Sequence, residues 1–158
     1  MKAGNIKKPK PYQLDDDVSS QMVNETVAHY RSMYNSPIAL LSTSKNGLQA
    51  KAALDFISIS GFTYDEFQEA FKTTVKTIQN YAAQGLKLDA PLSEKLLKAF
   101  ALFGKGISIF GSSKAFHSWL NTSSYGLGNQ VPFDLMDTIT GISLIEEELV
   151  RIEYGDLA

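Results

Sequence analysis

The chain has 158 residues, with 15 Lys and Arg against 17 Asp and Glu, and it contains no cysteine. A net charge of -2 together with 44% hydrophobic residues points to one folded domain, or two small ones, rather than to disorder. The missing thiols exclude disulfides, thiolate zinc sites, iron–sulfur clusters and cysteine nucleophiles, so only His29 and His117 remain for imidazole chemistry.

Residues 1–14 hold Lys2, Lys7, Lys8 and Lys10 beside Pro9 and Pro11, without apolar periodicity, and are expected to be a flexible basic leader. The longest apolar run, Ala99 to Phe103, is five residues, too short for a signal peptide or a membrane span. A cytoplasmic protein without a membrane partner is the resulting expectation.

Residues 15–88 read as a helical region. Val23, Val27, Tyr30 and Tyr34 recur at helical spacing from Asp17 onward. Ser36-Pro37 is a cap followed by a first-turn proline, which predicts a short helix through Leu41 before a turn at Asn46-Gly47. Leu48, Ala52, Phe56 and Ile59 mark a third helix that Gly61 stops. Thr63-Tyr64-Asp65-Glu66 then has the form of a capping box, with Phe67, Ala70 and Phe71 inward. Thr74 is placed to cap a second short helix that turns Ile78, Tyr81 and Ala82 inward and closes at Gly85.

Two such helices over about 63–85 make a helix-turn-helix pattern, in which Lys72, Thr74, Lys76, Thr77, Gln79 and Asn80 would face a DNA groove. Amides and hydroxyls read base edges, and lysines meet phosphates. A plain helical hairpin with a solvated polar face accounts for the same pattern. Lys72 falls near the turn, where glycine is often preferred, at a cost on the order of 1 kcal/mol.

Asp89 begins a connecting long helix over 89–110, striped by Leu92, Leu96, Phe100, Phe103, Ile107 and Phe110 and expected to be the central strut of the core. Its Gly104 and Gly106 each cost about 1 kcal/mol relative to alanine. Residues 111–158 carry Phe116, Trp119 and Leu120, a polar loop from Asn121 to Gln130, Pro132 to Met136, and a last helix from about Ser143 to Tyr154. The fold class is all-α. Charge divides along the chain: residues 1–110 hold 13 basic and 10 acidic side chains, while residues 111–158 hold 2 basic and 7 acidic. Different partners for the two parts would explain this, as would an ordinary solvated surface.

No catalytic constellation emerges. His29 and His117 have no ligand neighbour at metal-binding spacing, and Asp15-Asp16-Asp17 and Glu146-Glu147-Glu148 are accounted for as helix N-terminal acids that complement the dipole. Gly104-Lys105-Gly106 and Gly126-Leu127-Gly128 lack the context of a phosphate loop, and no GxSxG elbow occurs. No enzyme activity, catalytic residue, metal or cofactor is expected.

The C-terminal third carries a more specific pattern: Trp119-Leu120-Asn121-Thr122, Leu127-Gly128, Pro132-Phe133-Asp134-Leu135-Met136-Asp137-Thr138, Gly141, and Leu149-Val150-Arg151-Ile152-Glu153-Tyr154-Gly155. This resembles the toxin-binding domain of the Xre/MbcA/ParS antitoxins. Leu88, Ser93-Glu94-Lys95 and Leu96-Leu97 are similar to the connecting segment of that family, and the resemblance extends over about residues 48–158. It implies a homodimeric antitoxin of a type II module, paired with a RES-domain toxin that consumes NAD. Such an antitoxin plugs the toxin's active site with its C-terminus, here Glu153, Tyr154, Gly155, Asp156, Leu157 and Ala158, and represses its own operon by binding operator DNA. Residues 111–158 would be the toxin-binding domain. Asn129 stands where a second glycine is usual, Lys72 stands at the turn, and Asn80 stands where a basic residue is common. A stand-alone helix-turn-helix regulator without a toxin partner is the alternative.

Overall fold

The computed structural model describes residues 16–155, so the expected leader and Asp156, Leu157 and Ala158 lie outside the described residues. Among those described, the elements are α1 Asp16–Tyr34, α2 Pro37–Asn46, α3 Lys51–Ser60, α4 Tyr64–Phe71, α5 Val75–Ala83, α6 Ala90–Phe110, α7 Ser113–Leu120 and α8 Ile139–Glu153. Two 3-10 turns, Tyr125–Leu127 and Pro132–Leu135, lie between α7 and α8. Two isolated bridges, Gln49 with Lys87 and Ser124 with Gln130, are the only β-pairing among the described residues. The all-α expectation is met.

Side-chain oxygens start most of these helices. Ser36, Thr63, Thr74, Asp89, Ser112 and Thr138 each accept an amide hydrogen from the first turn of the helix they precede. Each such cap satisfies one orphan donor and contributes about 1 kcal/mol.

The strut expected at 89–110 is α6, which packs against α1, α2, α7 and α8. Its Leu96, Leu97, Phe100, Leu102 and Phe103 are fully buried. The aromatic core centres on Phe56 of α3, whose ring meets those of Phe62, Phe71, Phe100 and Phe103 edge-on at centroid distances of 5.1–5.5 Å. Edge-to-face geometry places the positive rim of one ring on the negative face of the next. Tyr30 of α1 stacks on Phe100 at 4.3 Å and donates its hydroxyl to Asp55 Oδ2 at 2.5 Å. Burial, with Asp55 beside it, pushes the Tyr30 phenol well above its ordinary pKa.

Gly106 is on α6 because α7 leaves no room for more: a Cβ there would run into the Phe116 ring. The propensity cost of this glycine is the condition for the close α6–α7 approach.

Several boundaries differ from the sequence expectation. Helix α2 continues past Leu41 to Asn46, through Ser42-Thr43-Ser44, because it packs along α6 and α1. Leu48 is not in α3. Its amide hydrogen goes to Ser93 Oγ at 2.9 Å, and its carbonyl accepts from Leu88 at 2.7 Å, so it ties the α2–α3 link to the start of α6. Tyr81 is 40% exposed rather than inward. Helix α8 begins at Ile139, four residues before Ser143, since Thr138 Oγ1 caps it on the Gly141 amide at 2.9 Å. Its first residues, Ile139-Thr140-Gly141, are weak helix formers that mask this start.

Candidate functional site

The first candidate surface is built by α4 and α5. The capping box is complete: Thr63 Oγ1 accepts the Glu66 amide hydrogen at 3.1 Å, and Glu66 Oε1 accepts that of Thr63 at 3.0 Å. Phe67, Ala70, Phe71, Val75 and Ile78 are buried and fix the two helices to the core. Between the helices Lys72 adopts φ 57, ψ 29, the left-handed conformation that favours glycine, and its amide hydrogen closes α4 on the Gln68 carbonyl at 2.8 Å.

Thr74 caps α5 by accepting the Thr77 amide hydrogen at 3.1 Å, and the two threonine hydroxyls share a hydrogen bond of 2.9 Å. Both are half-buried, whereas Lys72, Lys76, Gln79 and Asn80 are exposed. Thus four of the six residues singled out on this motif offer their side chains to solvent, and Thr74 and Thr77 are engaged with one another. Beside α5 lies an open groove of about 630 Å³ lined by Phe71, Lys72, Thr73, Thr77, Ile78 and Tyr81 of the α4–α5 region. Lys87, Leu88, Asp89, Pro91, Leu92 and Lys95 complete its lining.

A seam joins this motif to the C-terminal third. Lys95 of α6 is 9% exposed and donates to two backbone carbonyls, that of Ala70 in α4 and that of Asp137 at 2.6 Å. Burial pushes its ammonium pKa down, Asp137 pulls it back up, and nearby Lys72 adds to the lowering. His117 of α7 meets Glu66 Oε2 at 3.0 Å. Burial alone would raise the Glu66 pKa, but the Thr63 amide and His117 together hold it below the ordinary carboxylate value. Phe62 packs on both Phe133 and His117.

The second candidate surface is the α7–α8 region. Glu148 is not one of a row of N-terminal dipole acids: Glu146, Glu147 and Glu148 occupy the middle of α8, and Glu148 is 6% exposed. It accepts from Arg151 Nε at 2.8 Å and faces Ser124 Oγ at 3.5 Å. Arg151 reaches on to the Gly126 carbonyl at 3.5 Å. The Tyr125–Leu127 turn therefore sits directly on this pair, and Gly126 is required because a Cβ there would overlap the Glu148 carboxylate. Asn129 adopts φ 61, so it takes the left-handed backbone of the glycine usual at this position; asparagine tolerates that region better than most residues.

The turn presents Tyr125 at 76% exposure, and α8 ends on Tyr154 at 79%, followed by Gly155 at φ 71. Glu153 pairs with Lys105 at 3.1 Å, and Leu144 and Val150 add exposed apolar surface on α8. Burial raises the Glu146 carboxyl, against the pull of Lys98 and Lys105. Of the six C-terminal residues singled out, Glu153, Tyr154 and Gly155 are described here, at the end of α8. Tyr125 was missed because its placement depends on contacts between residues more than 20 positions apart in the chain. Among the described residues no group of three or more His, Cys, Asp or Glu is placed to hold a metal ion, and no helix is long and apolar enough to cross a membrane.

Residues 105–155 match the family model of the antitoxin Xre/MbcA/ParS C-terminal toxin-binding domain. This stretch takes in the end of α6, α7, both 3-10 turns and α8. The C-terminal third of the chain is thus similar to the toxin-binding domain of Xre/MbcA/ParS antitoxins. The chain is similar to a Prs ADP-ribosylating antitoxin of Sphingobium sp. (strain YBL2), with 25% identity over 139 residues that cover 82% of this chain and 87% of that protein.

Proposed function

We propose that this chain is an antitoxin that neutralises a RES-domain toxin that consumes NAD by occluding its active site, and that as a homodimer it represses its own operon through α4 and α5. The observation that carries the first part is the end of α8: within the toxin-binding match the helix finishes on Tyr154, a large aromatic 79% exposed to solvent. Exposed tyrosines with few rotatable bonds are favoured anchors at protein interfaces. The sequence beyond Gly155 offers Asp156 and the apolar Leu157. A site that binds an anionic dinucleotide needs cationic groups or amide donors, which an acidic segment can satisfy in its place. The relative's name connects that protein with ADP-ribosylation, a transfer that draws on NAD, and this favours an NAD-consuming partner here.

Operator binding is supported by the common exposure of Lys72, Lys76, Gln79 and Asn80. The homodimer draws support from Met22, Ile38 and Leu41 at the α1–α2 side, which are 60%, 76% and 52% exposed. On α6 the stripe residues Leu96, Phe100 and Phe103 are buried within the protomer, whereas Leu92, Ile107 and Phe110 are half-buried. Co-expression tests the proposal. Co-expressed with a RES-domain toxin, the chain should restore growth and cellular NAD and co-purify; continued arrest, with separate elution, refutes the toxin assignment and leaves a stand-alone regulator.

A further inference from the structure

Lys72 takes the left-handed backbone that closes α4, a position glycine would occupy at lower cost. A non-glycine residue held at positive φ costs stability, and such residues persist where their side chain serves a purpose. The Lys72 side chain is exposed and lines the groove beside α5. Lys87 lines the same groove; it follows α5 by four residues and is brought there by the bridge between Gln49 and Lys87. Its ammonium bonds the Asn46 carbonyl at 3.3 Å and remains exposed, with further donors to give.

The charges around this groove are directional. Its one carboxylate, Asp89, is spent on capping α6, accepting the Leu92 amide hydrogen at 2.9 Å. On the other side of Lys72 a second hollow is lined by Asp65, Gln68 and Glu69 of α4. An extended polyanion would therefore be attracted along the α5 side and repelled from the α4 side. The apolar lining of Ile78, Leu88 and Leu92 offers no competing charge.

We propose that this groove seats the sugar–phosphate backbone of duplex DNA, with Lys72 and Lys87 as paired phosphate contacts before and after α5. The inference rests on the operator-binding reading and extends it: Lys76, Gln79 and Asn80 read bases, while the two lysines fix the register of α5 on the duplex and are indifferent to sequence. Lys72 keeps its strained backbone because glycine there would remove one of the two contacts.

The test is fluorescence anisotropy with the full chain on two short duplexes, one from immediately upstream of its own gene and one of scrambled sequence, at roughly 50 to 200 mM salt. Lys72→Gly and Lys87→Gln should each weaken binding to both duplexes and flatten the slope of log K against log salt by about 1. Lys72→Gly should at the same time raise Tm, so that stability and DNA affinity move in opposite directions, which a structural role would not produce. Glu69→Gln should tighten binding to both. Lys114→Gln, an equal loss of charge on exposed α7, should leave the slope unchanged. If the parent binds and the two groove variants keep its slope, or if Lys114→Gln flattens it equally, the groove assignment is overturned while operator binding stands. If the parent binds neither duplex at the lowest salt, both fall.

Discussion

Lys95 Nζ donates to the carbonyl oxygen of Asp137 at 2.6 Å and also to that of Ala70. One buried ammonium on α6 thus holds the last turn of α4 against the segment that leads into α8. Both carbonyls lack a helical partner in these positions, and a charged donor satisfies them more strongly than a neutral one would.

Replacing Lys95 with methionine keeps the apolar stem but leaves both carbonyls without this donor. The relief of a buried charge offsets part of the loss, so a net destabilisation of about 2 kcal/mol is expected in urea denaturation. An unchanged midpoint would show that the seam does not depend on this side chain.

The neighbouring pair, Glu66 with His117, makes the same seam sensitive to acid. Because the folded pKa of Glu66 lies below its unfolded value, its contribution is present above the unfolded carboxylate pKa and is lost as pH falls through the folded one. Between about pH 5 and pH 3 the parent should therefore lose Tm more steeply than Glu66→Gln. Parallel curves would remove Glu66 from the acid response.

Gly106→Ala should destabilise the chain by about 1–3 kcal/mol despite its better helix propensity, because the new methyl meets the rigid Phe116 ring. Thermal melts of the variant decide this. A gain in Tm would mean that α6 and α7 can separate at no cost.

This glycine illustrates what the sequence does and does not carry. Capping residues and apolar spacing are local, so Thr63, Thr74 and Asp89 mark their helices without any tertiary information, and the Phe100–Phe103 stripe identifies the core helix. Gly106 reads locally as a weakness of α6, and only the approach of Phe116 explains it. The same holds for the candidate sites. Lys76, Gln79 and Asn80 could be read from helical spacing, but Lys87 joins the groove beside α5 through pairing with Gln49. Glu148 lies in an acidic run whose members differ only by the direction each faces on α8, and that direction became interpretable once Arg151 and the Tyr125–Leu127 turn were seen around it.

Tyr125, displayed on that turn, is expected to act as a second anchor for the toxin beside Tyr154. Tyr125→Ala should leave the unfolding free energy within about 0.5 kcal/mol of the parent, since the side chain is exposed, and weaken the toxin complex by about 2 kcal/mol. Calorimetry with the purified toxin separates the two effects. Equal affinity would confine binding to the end of α8 and the residues after it.

The central claim is neutralisation by occlusion of an NAD-consuming site, and NAD turnover reads it most directly. Purified RES-domain toxin should be titrated with the intact chain and with a chain ending at Gly155, which lacks Asp156, Leu157 and Ala158 but keeps every buried residue among those described. The account predicts that the intact chain abolishes NAD consumption near equimolar dose and that the shortened chain inhibits much less. Equal inhibition by both would contradict occlusion by the C-terminus and move it to the body of the domain around Trp119 to Thr138, and no inhibition by the intact chain would contradict the account as a whole.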